Sequence, residues 1–280
     1  MDRAFIGTGL IGGGLAEAAL ARGESVAVYN RTREKAAALA ERGATLCDSA
    51  ADAARGSKRI HLALTSDAAV DAVLPDLERG LEPGAIIIDH STCLPRQTRA
   101  RAEALAARGV KYLHTPVFMS PDACRNAQGI MLCCGPEALF AQIEPEIARM
   151  TGRVIYLGSA PDLAATMKLV GNGMLVAMLG GLADVFALAK QAGVDAAQVM
   201  QLLDGYDLMI PVRWRGGLMA RKDFDTHWTL EMARKDVRLM LETAGDSPLA
   251  VLPGLAARMD ALIEDGEGQK DVAVLGRDSV

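Results

Sequence analysis

Three observations predict an α/β fold followed by a helical domain. Short apolar runs alternate with amphipathic helical segments through the first half. A Gly7-Thr8-Gly9-Leu10-Ile11-Gly12 turn joins the first apolar run to the first helical one. Beyond Gly158 no strand pattern returns and long helical patterns take over. Buried parallel strands read as continuous apolar runs, and β/α alternation at this spacing gives a doubly wound sheet with right-handed crossovers. The expected architecture is a Rossmann domain over residues 1–158 and an all-α domain over 159–280 with a long interdomain helix.

The pattern assigns each element in turn. Strands are predicted at Arg3–Ile6, Ser25–Tyr29, Ala44–Leu46, Arg59–Leu64 and Ala85–Asp89, with helices at Ile11–Arg22, Arg33–Glu41, Ala68–Arg79 and Arg96–Arg108. Runs at Lys111–Thr115, Ile130–Cys134 and Val154–Tyr156 are expected to extend the same sheet, with a helix at Glu137–Met150. The second half predicts helices from about Leu163 to Ala192, then Asp195–Leu203, Thr229–Ala244 and Leu249–Glu264. The most apolar stretch, Gly173 to Ala189, is broken by glycines and Asp184 and lacks a basic flank. It reads as a helix buried between domains or subunits rather than a membrane span.

Composition narrows the function. The net charge is −5, from 30 basic and 35 acidic residues, so no basic excess exists to neutralise nucleic-acid phosphates. The five cysteines, Cys47, Cys93, Cys124, Cys133 and Cys134, show no metal-ligand spacing, and Cys133-Cys134 reads as core. No metal is expected. Such thiols suit a reducing cytosol, and a motif this near residue 1 leaves little room for a leader sequence.

The glycine turn carries the first chemical signal. Gly7 permits the strand-to-helix turn, Gly9 leaves room for a pyrophosphate, and Gly12 lets the helix pack on the strand. The helix N-terminus then offers free N–H groups and partial positive charge to phosphate. NAD-selective sites place an acid after the second strand. This chain has Asn30-Arg31-Thr32 there, where Arg31 and Thr32 can donate to a 2′-phosphate. NADP(H) is therefore the expected cofactor, although Thr32 could equally be a helix N-cap.

Lys168 and Asn172 lie four residues apart on one face of the long predicted helix, in apolar surroundings. A buried ammonium with a lowered pKa can protonate a carbonyl oxygen or take the proton back. Lys235-Asp236, read alone, is an exposed charge pair. His61, His114 and His227 form no triad or metal pattern, and His90, beside Ser91-Thr92 at a strand end, could line a nicotinamide site.

These residues together resemble the β-hydroxyacid dehydrogenases. That family includes 3-hydroxyisobutyrate dehydrogenase, tartronate semialdehyde reductase, glyoxylate/succinic semialdehyde reductases and, more distantly, 6-phosphogluconate dehydrogenase. The carriers are Phe5 to Gly13, Asp89-His-Ser-Thr92, Pro116-Val117, Lys168-Leu-Val-Gly-Asn172 and Lys235-Asp236, spread over essentially the whole chain. The resemblance implies that Lys168 is the catalytic lysine and that Asn172 helps hold substrate. It implies that Leu64, Thr65, Ser91 and Thr92 contact the nicotinamide half of the cofactor, and that Lys235 reaches into the cleft from the α domain. Asn30-Arg31-Thr32 looks like the NADP-using branch, and family members are usually homodimers or homotetramers through the α domain.

One segment departs from the pattern. The family's substrate loop usually reads Pro-Val-Ser-Gly-Gly, and here it reads Pro116-Val-Phe118-Met119-Ser120-Pro121. Either Phe118 replaces the serine or Ser120 takes its place after an insertion. The first option makes the pocket more apolar and poorer in anion donors. The resemblance thus implies a cytoplasmic NADP-dependent oxidoreductase interconverting a small carbonyl acid or semialdehyde and its hydroxy acid, with Lys168 as general acid/base. The alternatives are an NADPH-dependent imine reductase (a class that shares the fold but usually lacks a lysine at this position), a non-catalytic NADPH-binding protein, and a structural oligomer that only inherited the fold.

Overall fold

A computed structural model describes all residues, Met1–Val280. The chain divides into two compact units, Met1–Asn172 and Gly173–Val280. The strands end at Tyr156, close to residue 158, while the division between units falls inside the long helix that begins at Leu163.

The first unit opens with β1 (Arg3–Ile6), α1 (Leu10–Ala21), β2 (Val26–Tyr29), α2 (Glu34–Ala40), β3 (Thr45–Leu46), α3 (Ala50–Ala54) and β4 (Arg59–Leu62). It continues with α4 (Asp67–Glu78), β5 (Ile86–Asp89), α5 (Pro95–Ala107) and β6 (Lys111–His114). These six strands form one parallel sheet in the order β3-β2-β1-β4-β5-β6. The order reverses direction beside β1, and in open α/β sheets ligands bind at the carboxyl ends of strands at such a switch point.

Alternation along the strands separates two apolar layers. Phe5, Val26, Val28, Ile86, Ile88 and Leu113 face one side. Ala4, Ile6, Ile60, Leu62 and Ile87 face the other. Both sides are covered by helices, which is why β1, β2 and β5 read as near-continuous apolar runs.

After β6 the chain leaves this sheet. It adds β7 (Val117–Phe118), α6 (Pro121–Arg125), β8 (Ile130–Cys133), α7 (Glu137–Ile147) and β9 (Arg153–Tyr156). β7, β8 and β9 make a separate three-stranded sheet, antiparallel between β7 and β8 and parallel between β8 and β9. Ile130–Cys134 and Val154–Tyr156 therefore do not extend the main sheet, contrary to expectation. Pro116 is the reason at the junction: it has no N–H to donate and a fixed φ, so pairing cannot run on from β6. A single His114–Cys134 bridge links the two sheets. Cys133 and Cys134 are buried, and all five thiols are free.

α8 (Leu163–Gln191) starts in the first unit and continues into the second, which adds α9 (Ala196–Gly205), α10 (Met209–Arg221), α11 (Leu230–Ala244), α12 (Leu252–Glu264) and a short 3₁₀ turn at Val272–Gly276. Leu230, Val237, Met259, Leu262, Val272 and Val274 form its core. α8 is the one helix long and apolar enough to cross a membrane by length and composition, and only 6% of its most apolar window is buried. Met174, Leu175, Val176, Met178 and Leu179 are all exposed, so the chain by itself does not bury this face.

Asp184, the acid that interrupts the apolar run, has a clear structural task. Its carboxylate accepts from the backbone N–H of Ala250 (2.6 Å), Val251 (2.8 Å) and Leu252 (2.8 Å), satisfying the start of α12. Burial works against its charge, but these three bonds prevail and hold its pKa below the ordinary carboxylate value. Asp184→Ala leaves three donors without their acceptor and should cost about 3–5 kcal/mol. Urea unfolding followed by circular dichroism checks this, and a loss under about 1 kcal/mol would contradict the assignment.

Candidate active site

The carboxyl edge of the main sheet is built on missing side chains. Gly7 has φ +90°, and a Cβ there would lie 2.4 Å from the Ala63 carbonyl oxygen. A Cβ at Gly12 would lie 1.9 Å from the Gly7 carbonyl oxygen and 2.9 Å from Cβ of Ala63. Only glycine lets α1 settle this close to β1 and β4. Gly9 is different: an added Cβ would meet nothing within 4 Å, so the space before it is open. No side chain caps α1 at Gly9 and no acid occupies its first turn, which leaves its N–H groups available to an anion. The hydroxyl of Thr8 is buried without a partner.

Asn30 ties the next loop to this turn. Its side-chain oxygen accepts from Thr8 N–H at 3.1 Å, and its amide donates to the Thr32 carbonyl at 2.8 Å. Arg31 and Thr32 are exposed beside it. Thr32 makes no capping bond; α2 starts at Glu34 with Arg33 at the cap position and no side-chain cap. Arg31 has no carboxylate partner, whereas Arg33 is paired with Asp48. A cleft of about 280 Å³ runs past Gly7 and Gly9 to Asn30, Arg31, Thr32 and Lys35, and Leu64 and Thr65 line its other side. Lys35, also free of any carboxylate, belongs to no motif that the sequence displays. Its one signal there is position: it lies four residues after Arg31, one helical turn later.

These features fit a dinucleotide with a 2′-phosphate. The open approach at Gly9 and the uncapped helix suit a pyrophosphate, and two unpaired cations face the place where NAD-selective sites carry an acid.

Leu64, Thr65, Ser91 and Thr92 meet at the ends of β4 and β5. Ser91 is buried and its hydroxyl accepts from Leu64 N–H at 2.9 Å, while Thr65 and Thr92 are exposed. Ser91 thus holds the Leu64–Thr65 loop in place. His90, by contrast, does not line this edge. Its ring turns into the protein interior, buried, with both nitrogens bonded there.

Lys168 and Asn172 stand together as their spacing implied. The Lys168 ammonium donates to the Asn172 side-chain oxygen at 3.0 Å. Lys168 is only 9% exposed, and burial lowers its pKa from the ordinary lysine value. Its Nζ sits 4.1 Å from the centroid of the Phe118 ring. The same ring lies against Gly171, where a Cβ would meet it at 2.4 Å. Ser120 is exposed and its hydroxyl caps α6, accepting from Ala123 N–H at 3.1 Å. Of the two candidate residues in the substrate loop, Phe118 faces the lysine and Ser120 does not. Lys235 lies in the second unit, exposed on α11 and paired with Asp236 at 2.9 Å.

Asp89, Cys93 and His114 also converge, buried, with ligand-type atoms within 4.8 Å of one another, a grouping their spacing conceals. The Asp89 carboxylate accepts there from Ser91 N–H (2.9 Å) and the Tyr112 hydroxyl (2.8 Å). A larger cavity of about 370 Å³ opens beside β6, among Ala106, Val110, Leu139 and Pro161. None of the predicted site residues lines it.

Similarity to known proteins decides the family. Residues 2–158 match the model of the NAD binding domain of 6-phosphogluconate dehydrogenase. Residues 163–277 match that of the NAD-binding domain of NADP-dependent 3-hydroxyisobutyrate dehydrogenase. The chain belongs to the β-hydroxyacid dehydrogenase family. This β-hydroxyacid dehydrogenase is 29% identical over 265 residues to glyoxylate/succinic semialdehyde reductase 1 of Arabidopsis thaliana, covering 93% of this chain and 91% of that one. It is 29% identical over 205 residues to 3-hydroxyisobutyrate dehydrogenase of Pseudomonas aeruginosa, covering 72% and 68%. An imine reductase from Myxococcus stipitatus, solved with NADP+, shares the fold with a TM-score of 0.91 over 99% of both chains at 21% identity. The protein is thus an NAD(P)-dependent oxidoreductase, and NADP(H) is the cofactor that its domains and its Arg31–Lys35 edge fit.

Arg31→Ala should weaken NADPH about tenfold or more while changing NADH little, since it removes a charge-assisted contact that only a 2′-phosphate makes. Lys35→Ala should act in the same direction. The ratio of kcat/KM for the two cofactors measures both, and equal losses for NADPH and NADH would rule out phosphate recognition by this edge.

Proposed function

We propose that this oxidoreductase interconverts a carbonyl compound and its alcohol, with Lys168 as general acid in reduction and general base in oxidation. The observation that carries the reading is the Lys168 ammonium, buried, held by the Asn172 amide and by no carboxylate. When bound, the nicotinamide supplies or accepts the hydride. Lys168 supplies the proton that the oxygen needs as charge develops on it, and burial makes that proton easier to release. The bond to Asn172 fixes one N–H of the ammonium and leaves others to point at a substrate oxygen. Leu64, Thr65 and Thr92 are the groups available to the nicotinamide half, with Ser91 holding the loop.

Phe118 refines the substrate. With an aromatic ring beside Lys168 and the Ser120 hydroxyl set at the start of α6, this side of the pocket offers mainly apolar surface. A semialdehyde or keto acid with its uncharged part against Phe118 is the substrate class supported. The same ring supports a second reading, imine reduction, because an aromatic face favours an iminium cation. Lys168→Ala should lower kcat about 10²–10⁴-fold and leave the NADPH dissociation constant unchanged. The wild-type kcat profile should show a group ionising below the ordinary lysine value of 10.5, absent from the variant. Assays of NADPH oxidation against semialdehydes, glyoxylate, ketones and cyclic imines separate the readings. Wild-type kcat in Lys168→Ala would refute the role of the lysine.

The exposed apolar face of α8 supports a homodimer or a larger homo-oligomer in which a second copy covers it. Burying residues such as Leu175, Val176 and Leu179 is worth about 1.5–3 kcal/mol each. The reading is cytoplasmic, in keeping with five unpaired cysteines. Light scattering should give at least twice the chain mass, and Val176→Asp with Leu179→Asp should shift it towards the monomer. A monomeric wild type would overturn this part.

A further inference from the structure

A line of polar groups runs through the apolar layer between the main sheet and α7, and the proposed reaction does not account for it. His61, in the middle of β4, and His90, just past β5, are 1% and 4% exposed. Buried polar rings persist only where their nitrogens find partners, and these do. Arg3 Nη1 lies 3.4 Å from His61 Nε2, His61 Nδ1 lies 2.9 Å from His90 Nε2, and His90 Nδ1 lies 2.8 Å from the Thr115 carbonyl oxygen. The two imidazole planes differ by 9° with centroids 5.2 Å apart, the arrangement of rings joined edge to edge by an in-plane N–H···N bond. Phe5 lies face to face with His61 at 4.7 Å.

The partners at the two ends fix every proton between them. A guanidinium can only donate, so His61 Nε2 must accept and its proton sits on Nδ1. That proton is given to His90 Nε2, so His90 also carries its proton on Nδ1 and gives it to Thr115. A carbonyl can only accept, so the far end demands the same direction. Arg3 is itself held by Glu24 and by Glu146 at 3.4 Å. The Thr115 hydroxyl, 2.9 Å from His90 Nδ1, is a second acceptor for the same proton.

Thr115, at the end of this line, is the hinge between β6 and β7. Its N–H donates to the Asp89 carbonyl at 2.7 Å, and its carbonyl is the one bonded to His90. Pro116 then stiffens the chain into β7, whose Phe118 lies against Lys168 and Gly171. The residue after His90 is Ser91, which holds Leu64. Two consecutive residues therefore divide the work: Ser91 holds the loop that lines the cofactor cleft, and His90 holds the strand that shapes the substrate side.

We infer that His90 is a positioning residue: by donating to the Thr115 carbonyl it sets Phe118 against Lys168, with Arg3 and His61 fixing the tautomer it needs. This rests on the reading of Lys168 as the group that exchanges the proton with substrate. His90→Leu fills the space without the bonds. His90→Asn keeps a donor close to the position of Nδ1. His90→Leu should lose about tenfold or more in kcat/KM, the equivalent of one hydrogen bond, and displace the Lys168 ionisation in the kcat profile. His90→Asn should restore both, and NADPH affinity should stay within about twofold in both variants. A fully folded His90→Leu enzyme with wild-type kcat/KM and pH profile would overturn the inference. Should His90→Leu not fold, nitrogen-15 NMR of the wild type decides: both His61 and His90 must be Nδ1–H tautomers, and an Nε2–H proton on either sinks it. A wild type inactive on every carbonyl and imine refutes the proposed function instead, and the tautomers still report on the histidine line.

Discussion

The packing of α1 on the main sheet depends on a side chain that Gly12 does not have. Without a Cβ there, the start of α1 lies directly on the Gly7 carbonyl and the Ala63 methyl. Any other residue would lift the helix off the sheet. That contact sets the height of the whole carboxyl edge. Thr8 N–H then reaches Asn30, Leu64 N–H reaches Ser91, and Thr115 N–H reaches Asp89. The ends of β1 and β2, and those of β4, β5 and β6, are stitched together by bonds that require their backbones at fixed heights. The open space at Gly9, the free cations at Arg31 and Lys35 and the placement of Phe118 depend on this edge rather than on any one loop.

Legibility in the sequence tracks how local the determining physics is. β1, β2 and β5 are readable because burial on both faces forces near-continuous apolar runs, and the glycine turn because its three glycines fall within six residues. β7 leaves no such trace, being two residues long and stabilised by tertiary pairing. α10 is hidden as well, since Pro211 and Gly216-Gly217 carry poor helix propensity that its packing overrides. The capping role of Ser120 is present in the sequence, as Ser-Pro-Asp is a helix start with proline at the first position. Similarity to a loop in which serine has another task obscures it. His90 misleads for the opposite reason. Its neighbours belong to the cofactor edge, and nothing local shows that its own ring turns inward to His61, 29 residues away.

Lys168 is held differently from the structural charges of this protein. Structural charges such as Asp184 and Arg101 are held by opposite or strongly bonding partners, which lock one protonation state. Lys168 has only a neutral amide and the face of a ring. A carboxylate in place of Asn172 would hold the ammonium charged and make it a poor acid. An aliphatic residue there would leave the nitrogen unsatisfied and free to turn away. The amide and the aromatic face lie between these extremes: they orient the nitrogen while leaving its proton mobile. The histidines obtain orientation in the same way, from neighbours that dictate where the proton sits without making either ring an ion. In the role proposed for Lys168, a buried base whose direction is fixed but whose charge is not suits a proton that accompanies the substrate oxygen through both directions of one reaction.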